Sequence, residues 1–171
     1  MVDKYIANIN GRKTEVAGTV TSTGASEAGH IVALDTNGKL DISVLPNGLV
    51  DETDVLTAGE NLSAGDFVYV NSVDGKVYKA DASSTAKQAD GYVLASATNN
   101  QSVRVYYEGA NTSLTGLTAG ARYYLSASTA GGVVTTPVSY ASGGRISQYI
   151  GKAVSTTKLV FEAEDSVVLA A

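Results

Sequence analysis

The feature that most constrains this chain is an internal echo. The stretch Leu62-Ser63-Ala64-Gly65-Asp66-Phe67-Val68-Tyr69-Val70-Asn71 returns 55 residues later as Leu117-Thr118-Ala119-Gly120-Ala121-Arg122-Tyr123-Tyr124-Leu125-Ser126. Each copy has a leucine, a small hydroxyl residue, Ala-Gly, two variable residues and then an apolar-aromatic strand. The echo continues downstream. Asp74-Gly75-Lys76-Val77 answers Ala130-Gly131-Gly132-Val133, Gly91-Tyr92-Val93 answers Gly151-Lys152-Ala153, and Val105-Tyr106-Tyr107-Glu108 answers Leu159-Val160-Phe161-Glu162. Two matching units of roughly 50 to 60 residues make an internal repeat, and two are too few for a solenoid. The expectation is an all-β domain over residues 51–171, a small β-barrel or sandwich with a pseudo-twofold internal repeat, each copy supplying half the strands.

Short apolar-aromatic runs separated by small-residue turns give the strand positions. The first copy predicts strands at about 54–57, 67–71, 76–80, 91–97 and 102–108, and the second at about 122–127, 132–136, 145–154, 157–162 and 166–169. The Ala/Ser/Lys-rich stretch 81–90 has room for one helical turn. Alternation puts Val103, Val105 and Tyr107 on one face of their strand and groups Ile146 and Ile150 with Gln148, without saying which face is inward.

The segment before residue 51 has a different character. Residues 1–22 read as an extended N-terminal arm, with a short strand and turn at Tyr5 to Gly11, and Ser22 to Gly29 reads as a linker. Residues 23–50 read as a β-hairpin and linker. Here His30-Ile31-Val32-Ala33-Leu34-Asp35 runs up, Asn37-Gly38 turns, and Leu40-Asp41-Ile42-Ser43-Val44-Leu45 returns with strict alternation until Pro46. A two-stranded ribbon is marginal in water by itself. Its apolar face, and that of the arm, therefore need a partner: the downstream domain or another subunit. The interface candidates are Tyr5, Ile6, Ile9, Leu40, Ile42, Val44 and Leu45.

Chemistry is hard to assemble from this chain. There is no Cys and one His, so thiolate metal sites, disulfides and cysteine nucleophiles are excluded, and His30 has no nucleophile-elbow pattern to serve. Glu162, Glu164 and Asp165 crowd a strand end, where a solvated edge explains them better than a carboxylate pair. Asp35-Thr36-Asn37-Gly38 starts like a calcium loop but lacks the later ligands. The Gly131-Gly132 and Gly143-Gly144 doublets precede no helix that could cradle a phosphate. The expectation is a protein that is not an enzyme and has no cofactor. A net charge of −5 without a basic cluster argues against nucleic acid, and no run is long enough to span a membrane. The N-terminus lacks the apolar stretch of a signal peptide, which points to synthesis in the cytosol. The sequons at Asn61, Asn100 and Asn111 then read as chance.

Two blocks carry a resemblance. Gly116-Leu117-Thr118-Ala119-Gly120-Ala121-Arg122-Tyr123-Tyr124-Leu125-Ser126, followed by Ile150-Gly151-Lys152-Ala153-Val154-Ser155 and Leu159-Val160-Phe161, resembles the C-terminal β-domain of small structural proteins of tailed bacteriophages. Ile31 to Asp41 followed by Val44-Leu45-Pro46 resembles a segment of phage head and tail proteins. The family most resembled is the capsid decoration, or cement, proteins. That resemblance implies a homotrimer on the outer surface of an expanded head, made in the host cytoplasm, whose partner is the major capsid protein and which stabilises capsomer junctions. The alternative it leaves open is a tail fibre, spike or baseplate component that binds host glycans.

Overall fold

Repetition of sequence becomes repetition of strand order. A computed structural model describes residues 4–45, 52–139 and 145–170. Residues 46–50 of the expected hairpin-and-linker segment and the Gly143-Gly144 doublet lie outside the described residues. The chain divides into two units, residues 1–50 and 51–171. The first holds β1 (Lys4–Ile9) and β2 (Arg12–Ala17). The second opens with β3 (Thr53–Thr57), β4 (Phe67–Val70), β5 (Val77–Lys79), β6 (Gly91–Val93) and β7 (Ser102–Tyr106). It continues with β8 (Ala110–Asn111), β9 (Arg122–Leu125), β10 (Val133–Val134), β11 (Ile146–Ser147), β12 (Tyr149–Ala153), β13 (Leu159–Phe161) and β14 (Val167–Val168). A single 3-10 turn, Thr85–Lys87, occupies the stretch expected to be helical. The protein is all-β, as the turn spacing predicts.

Each copy of the repeat builds one five-stranded antiparallel sheet. The first runs β5-β4-β6-β7-β3 and the second β10-β9-β12-β13-β8, the same order strand for strand. The registers also agree. Phe67 pairs with Tyr92 and Val68 with Gly91 in the first sheet, while Arg122 pairs with Lys152 and Tyr123 with Gly151 at the corresponding places in the second. The two Ala-Gly turns are equivalent. Asp66 N donates to Ser63 O and Ala121 N to Thr118 O, each at 3.1 Å, and Gly65 and Gly120 N donate to Val93 and Ala153 O at 2.8 and 2.7 Å. Both glycines have positive φ, +96° and +82°, which explains their place in the repeat. Gly91 and Gly151 share a second constraint. A Cβ on Gly91 would sit 2.6 Å from the Tyr106 carbonyl oxygen, and one on Gly151 would meet the corresponding carbonyl of Val160.

Of the two architectures expected, barrel or sandwich, the sheets follow the open, sandwich-like one, and only the symmetry needs correction. None of the sheets closes into a barrel, and the two large sheets do not meet as a twofold pair. A twofold axis would bring like faces together. Here the face of the first sheet that carries Phe67 and Tyr92 packs on the face of the second that carries Tyr123, Leu125, Ala153, Leu159 and Phe161. By register those second-sheet residues match Val68, Val70, Val93, Val105 and Tyr107, which lie on the opposite face of the first sheet. The copies are stacked in the same sense, unlike face on unlike face. Phe161 sits at the junction, its ring 5.8 Å from Phe67 and 5.6 Å from Tyr92. The outward face of the first sheet is not left bare. Val68, Val77, Val93, Val103 and Val105 are covered by Ala58 and Leu62, with Ala97 packed alongside.

Two buried polar side chains tie the stack. Gln148 sits in the core beside Ile146 and Ile150. It accepts from Ala89 N (2.7 Å) and donates to Ala89 O (3.0 Å), so its amide acts as a strand partner for one residue of the first copy. Asn111 is fully buried and donates to Gly65 O at 2.9 Å, an environment that gives its sequon a purely structural meaning.

The first unit departs most from expectation. The hairpin forms at Asn10-Gly11, where both φ values are positive (+52° and +81°) and β1 pairs with β2 from Lys4↔Ala17 to Ile9↔Arg12. At Asn37-Gly38 the chain turns, but the expected strands on either side do not pair. Asp35 carboxylate oxygen accepts from both Asn37 N (2.8 Å) and Lys39 N (2.9 Å), which makes the turn locally. Asp41 then caps a 3-10 turn at Ile42–Val44, so the alternation of Leu40, Ile42 and Val44 does not describe a strand face. Val32 finds a parallel bridge to Thr19 instead. Of the expected extended arm over residues 1–22, residues 4–22 are accordingly a hairpin and a bridged segment.

Stacking of unlike faces makes a checkable asymmetry. Phe161→Ala should destabilise the second unit by about 3–5 kcal/mol in urea unfolding, since it empties the inter-sheet junction. Tyr107→Ala, its register equivalent on the outward face, should have a clearly smaller effect. Equal effects would contradict the packing.

Candidate interaction surfaces

The first unit is folded without a core. Among its described residues none is buried, whereas the second unit buries residues from β4 through β9 and from β11 through β13. Ile6 is 66% exposed, Leu34 57%, Ile31 55% and Leu40 50%, with Ile9, Ile42 and Val32 close behind. What fixes the unit is polar and local. Glu27 accepts from Thr23 N (2.6 Å), Thr23 Oγ1 (3.0 Å) and Ser22 Oγ (3.2 Å). Ser43 Oγ accepts from Ser22 N at 2.8 Å and donates to Asp41 at 2.6 Å, joining two loops.

The seven sequence-derived interface candidates fall in three places. Tyr5 is half-buried beside an open groove of about 740 Å³, which Val20, Ile31, Leu34 and Asp35 also line. Ile6 and Ile9 are exposed on β1 opposite Glu15 and Arg12, and alternation puts Ile6 on the other side of the ribbon from Tyr5 and Ile9. Leu40 and Ile42 point out, while Val44 and Leu45 are half-buried around a smaller hollow of about 320 Å³ with Thr19, Glu27 and His30. The candidates are thus accessible but not one patch. Sequence reasoning missed Ile31, Val32 and Leu34, which it had paired with residues 40–45. Their uninterrupted apolar run, with no polar alternate, was the available signal.

The carboxylates of this unit are already committed. A backbone hydrogen bond from Thr23 holds the Glu27 carboxyl below its ordinary pKa, one from Lys39 does so for Asp35, and the Ser43 side chain for Asp41. His30 Nδ1 lies 3.1 Å from Thr19 Oγ1. Among the described residues no three His, Cys, Asp or Glu side chains gather as metal ligands would.

The second unit presents a surface of another kind. The uncovered face of its second sheet carries Arg122, Tyr124, Tyr149, Lys152 and Val160. The Arg122 guanidinium lies 5.3 Å from the Tyr149 ring centroid, and Tyr124 meets that ring edge-on at 5.8 Å. Arg122 and Lys152 are exposed and directly opposite each other across β9 and β12. Comparison with known proteins adds nothing to the geometry: no protein-family model matches the chain, and no curated protein does.

The lowered carboxylates set a pH dependence. A carboxyl whose folded pKa lies below its unfolded value stabilises the fold above the ordinary carboxylate range. That contribution is lost as pH falls through the range toward the folded pKa. Amide resonances of Ser22–Ser43 should therefore move toward unfolded positions as pH is lowered through and below that range, before those of β4 and β6 move. Burial raises the Asp90 carboxyl instead, so its contribution runs the other way. Loosening of the first unit on raising the pH would contradict the assignment.

Proposed function

We infer that this protein is a structural virion component, a decoration protein that binds the outside of an expanded phage head and stabilises the junctions between capsomers. The observation that carries the reading is the coreless first unit. A segment held by local polar bonds, exposing seven large aliphatic side chains and burying none, is completed by a surface outside itself. Each of those half-covered side chains has roughly 1 kcal/mol left to gain from burial. The second unit differs in having a core of its own: its two large sheets bury one another and leave no buried side-chain polar atom unpartnered among the described residues. The resemblance of Gly116–Ser126 and Ile31–Pro46 to phage structural proteins supplies the identity of the surface: the major capsid protein, gripped by a homotrimer.

The mechanism is mechanical. A protein that binds the expanded lattice and not its precursor stabilises the expanded form by linkage. Three first units on one trimer engage neighbouring capsid subunits at high effective concentration, so modest contacts add up to a firm clamp.

Mixing the protein with undecorated expanded heads tests this. Ile6→Asp and Ile42→Asp place charges on the apolar surface, and each should weaken head occupancy at least about tenfold, since burying an unpaired charge is costly. The thermal melt of the second unit should not change. Val73→Asp, at a position 91% exposed in the second unit, should leave occupancy intact. Full occupancy with both aspartates would overturn the reading.

A further inference from the structure

The stacking of the repeats shows what an uncovered face was built to meet. By register, Arg122, Tyr124 and Lys152 occupy the places of Phe67, Tyr69 and Tyr92. In the first copy that face is buried under a second sheet. In the second copy it is open, and its two central apolar residues are replaced by cations. Like charges directly opposite on neighbouring strands repel. Neither cation is relieved by an ion pair, because the three salt bridges among the described residues are Lys4–Glu15, Lys79–Asp66 and Lys87–Asp81. An acidic surface laid on this face would meet both cations.

The chain carries that surface. Residues 51–108 contain nine Asp and Glu against four Lys and Arg, while residues 109–171 contain three against four. The acidic surplus has a local concentration. Glu52, Asp54 and Glu108 are all exposed at one end of the β3–β7 pair, where Tyr107 N donates to Glu52 O, and none has a salt-bridge partner among the described residues. Burial raises the Tyr107 hydroxyl above its ordinary pKa, and Asp54 lies close enough to add to that shift.

We propose that the open face of the second sheet, centred on Arg122, Tyr149 and Lys152, joins copies of this chain by receiving the acidic β3–β7 end of a second copy. The contact is heterologous: the face of one copy meets a different face of the next. Such contacts close into a ring or continue as a filament. The rings Tyr124 and Tyr149 and the half-buried Val160 supply apolar area beneath the cations, and the charges set the orientation. Glu162 and Glu164 also lie near enough to Tyr149 to act on its hydroxyl, as Arg122 does. The proposal names the surface behind the oligomer in the reading above, yet it does not depend on the shell.

The test is therefore made on the full chain free in solution. Light scattering and native mass spectrometry give the copy number of the wild type, of R122E/K152E, of E52K/D54K/E108K and of the two sets combined. The wild type should be an oligomer that weakens as salt rises. Each charge-reversed set should weaken self-association about tenfold or more. Combining both sets should restore it, and R145E, in the same half but lining a hollow with Tyr123 on the sheet's other side, should change nothing. Unaltered melts show that the variants fold. A monomeric wild type, an oligomer that survives R122E/K152E, or a combined variant that fails to recover while remaining folded would each overturn the proposal. An intact oligomer in which R122E/K152E no longer binds heads would assign the face to the shell instead, and would equally overturn it.

Discussion

Everything in the second unit depends on Phe161 entering the space between Phe67 and Tyr92. Those two rings are 6.2 Å apart and tilted, and Phe161 is within 6 Å of both, so the three form one aromatic wedge. Contacts of this kind add roughly 0.5–1.5 kcal/mol per pair beyond the area they bury. Their placement matters more than their strength. Phe161 belongs to the outward-type face of its own copy, and Phe67 and Tyr92 to the opposite face of theirs. The wedge forces the two copies to stack in one sense. That leaves an end with the covered valine face under Leu62 and an end with Arg122 and Lys152 exposed.

The first unit lives under the opposite constraint. Its turns are made by Asp35, Asp41, Glu27 and the hydroxyls near them, groups that satisfy themselves within a few residues. Local bonding of that kind holds a shape without burying apolar area. Ile6, Ile31, Leu34, Leu40 and Ile42 are left at the surface. The second unit thus packs its two large sheets on each other, while the first leaves its large aliphatic side chains exposed.

Much of the second unit was legible. The Ala-Gly turns and the strand runs after them fixed the positions of β4 to β7, β9, β10 and β13 within a few residues, because positive φ at Gly65 and Gly120 leaves little choice of residue, but β8 was not expected and β11 and β12 were read as one strand over 145–154. Which faces meet was harder to see, since Tyr69 and Tyr124 are identical at matched positions and Tyr serves core and surface alike. The aligned pairs Phe67/Arg122 and Tyr92/Lys152 did hold that information: a cation in place of an aromatic marks the open face. In the first unit the same dipeptide misled. Asn10-Gly11 and Asn37-Gly38 look equal, but only the second is flanked by Asp35 and Asp41, whose carboxylates take the backbone N–H groups that a β-ladder would have used. The exposed run Ile31–Leu34 escaped notice for the same reason, having been assigned to a strand pair that those aspartates prevent.

Hydrogen exchange on the free chain, followed peptide by peptide, tests the central claim most directly. The account predicts that amides of residues 4–45 exchange quickly, at rates set by small local openings, while those of β4, β6, β9, β12 and β13 are protected to the level of global unfolding. Equal protection of the two units in a chain shown to be monomeric would contradict it, because the first unit would then hold itself together without a partner.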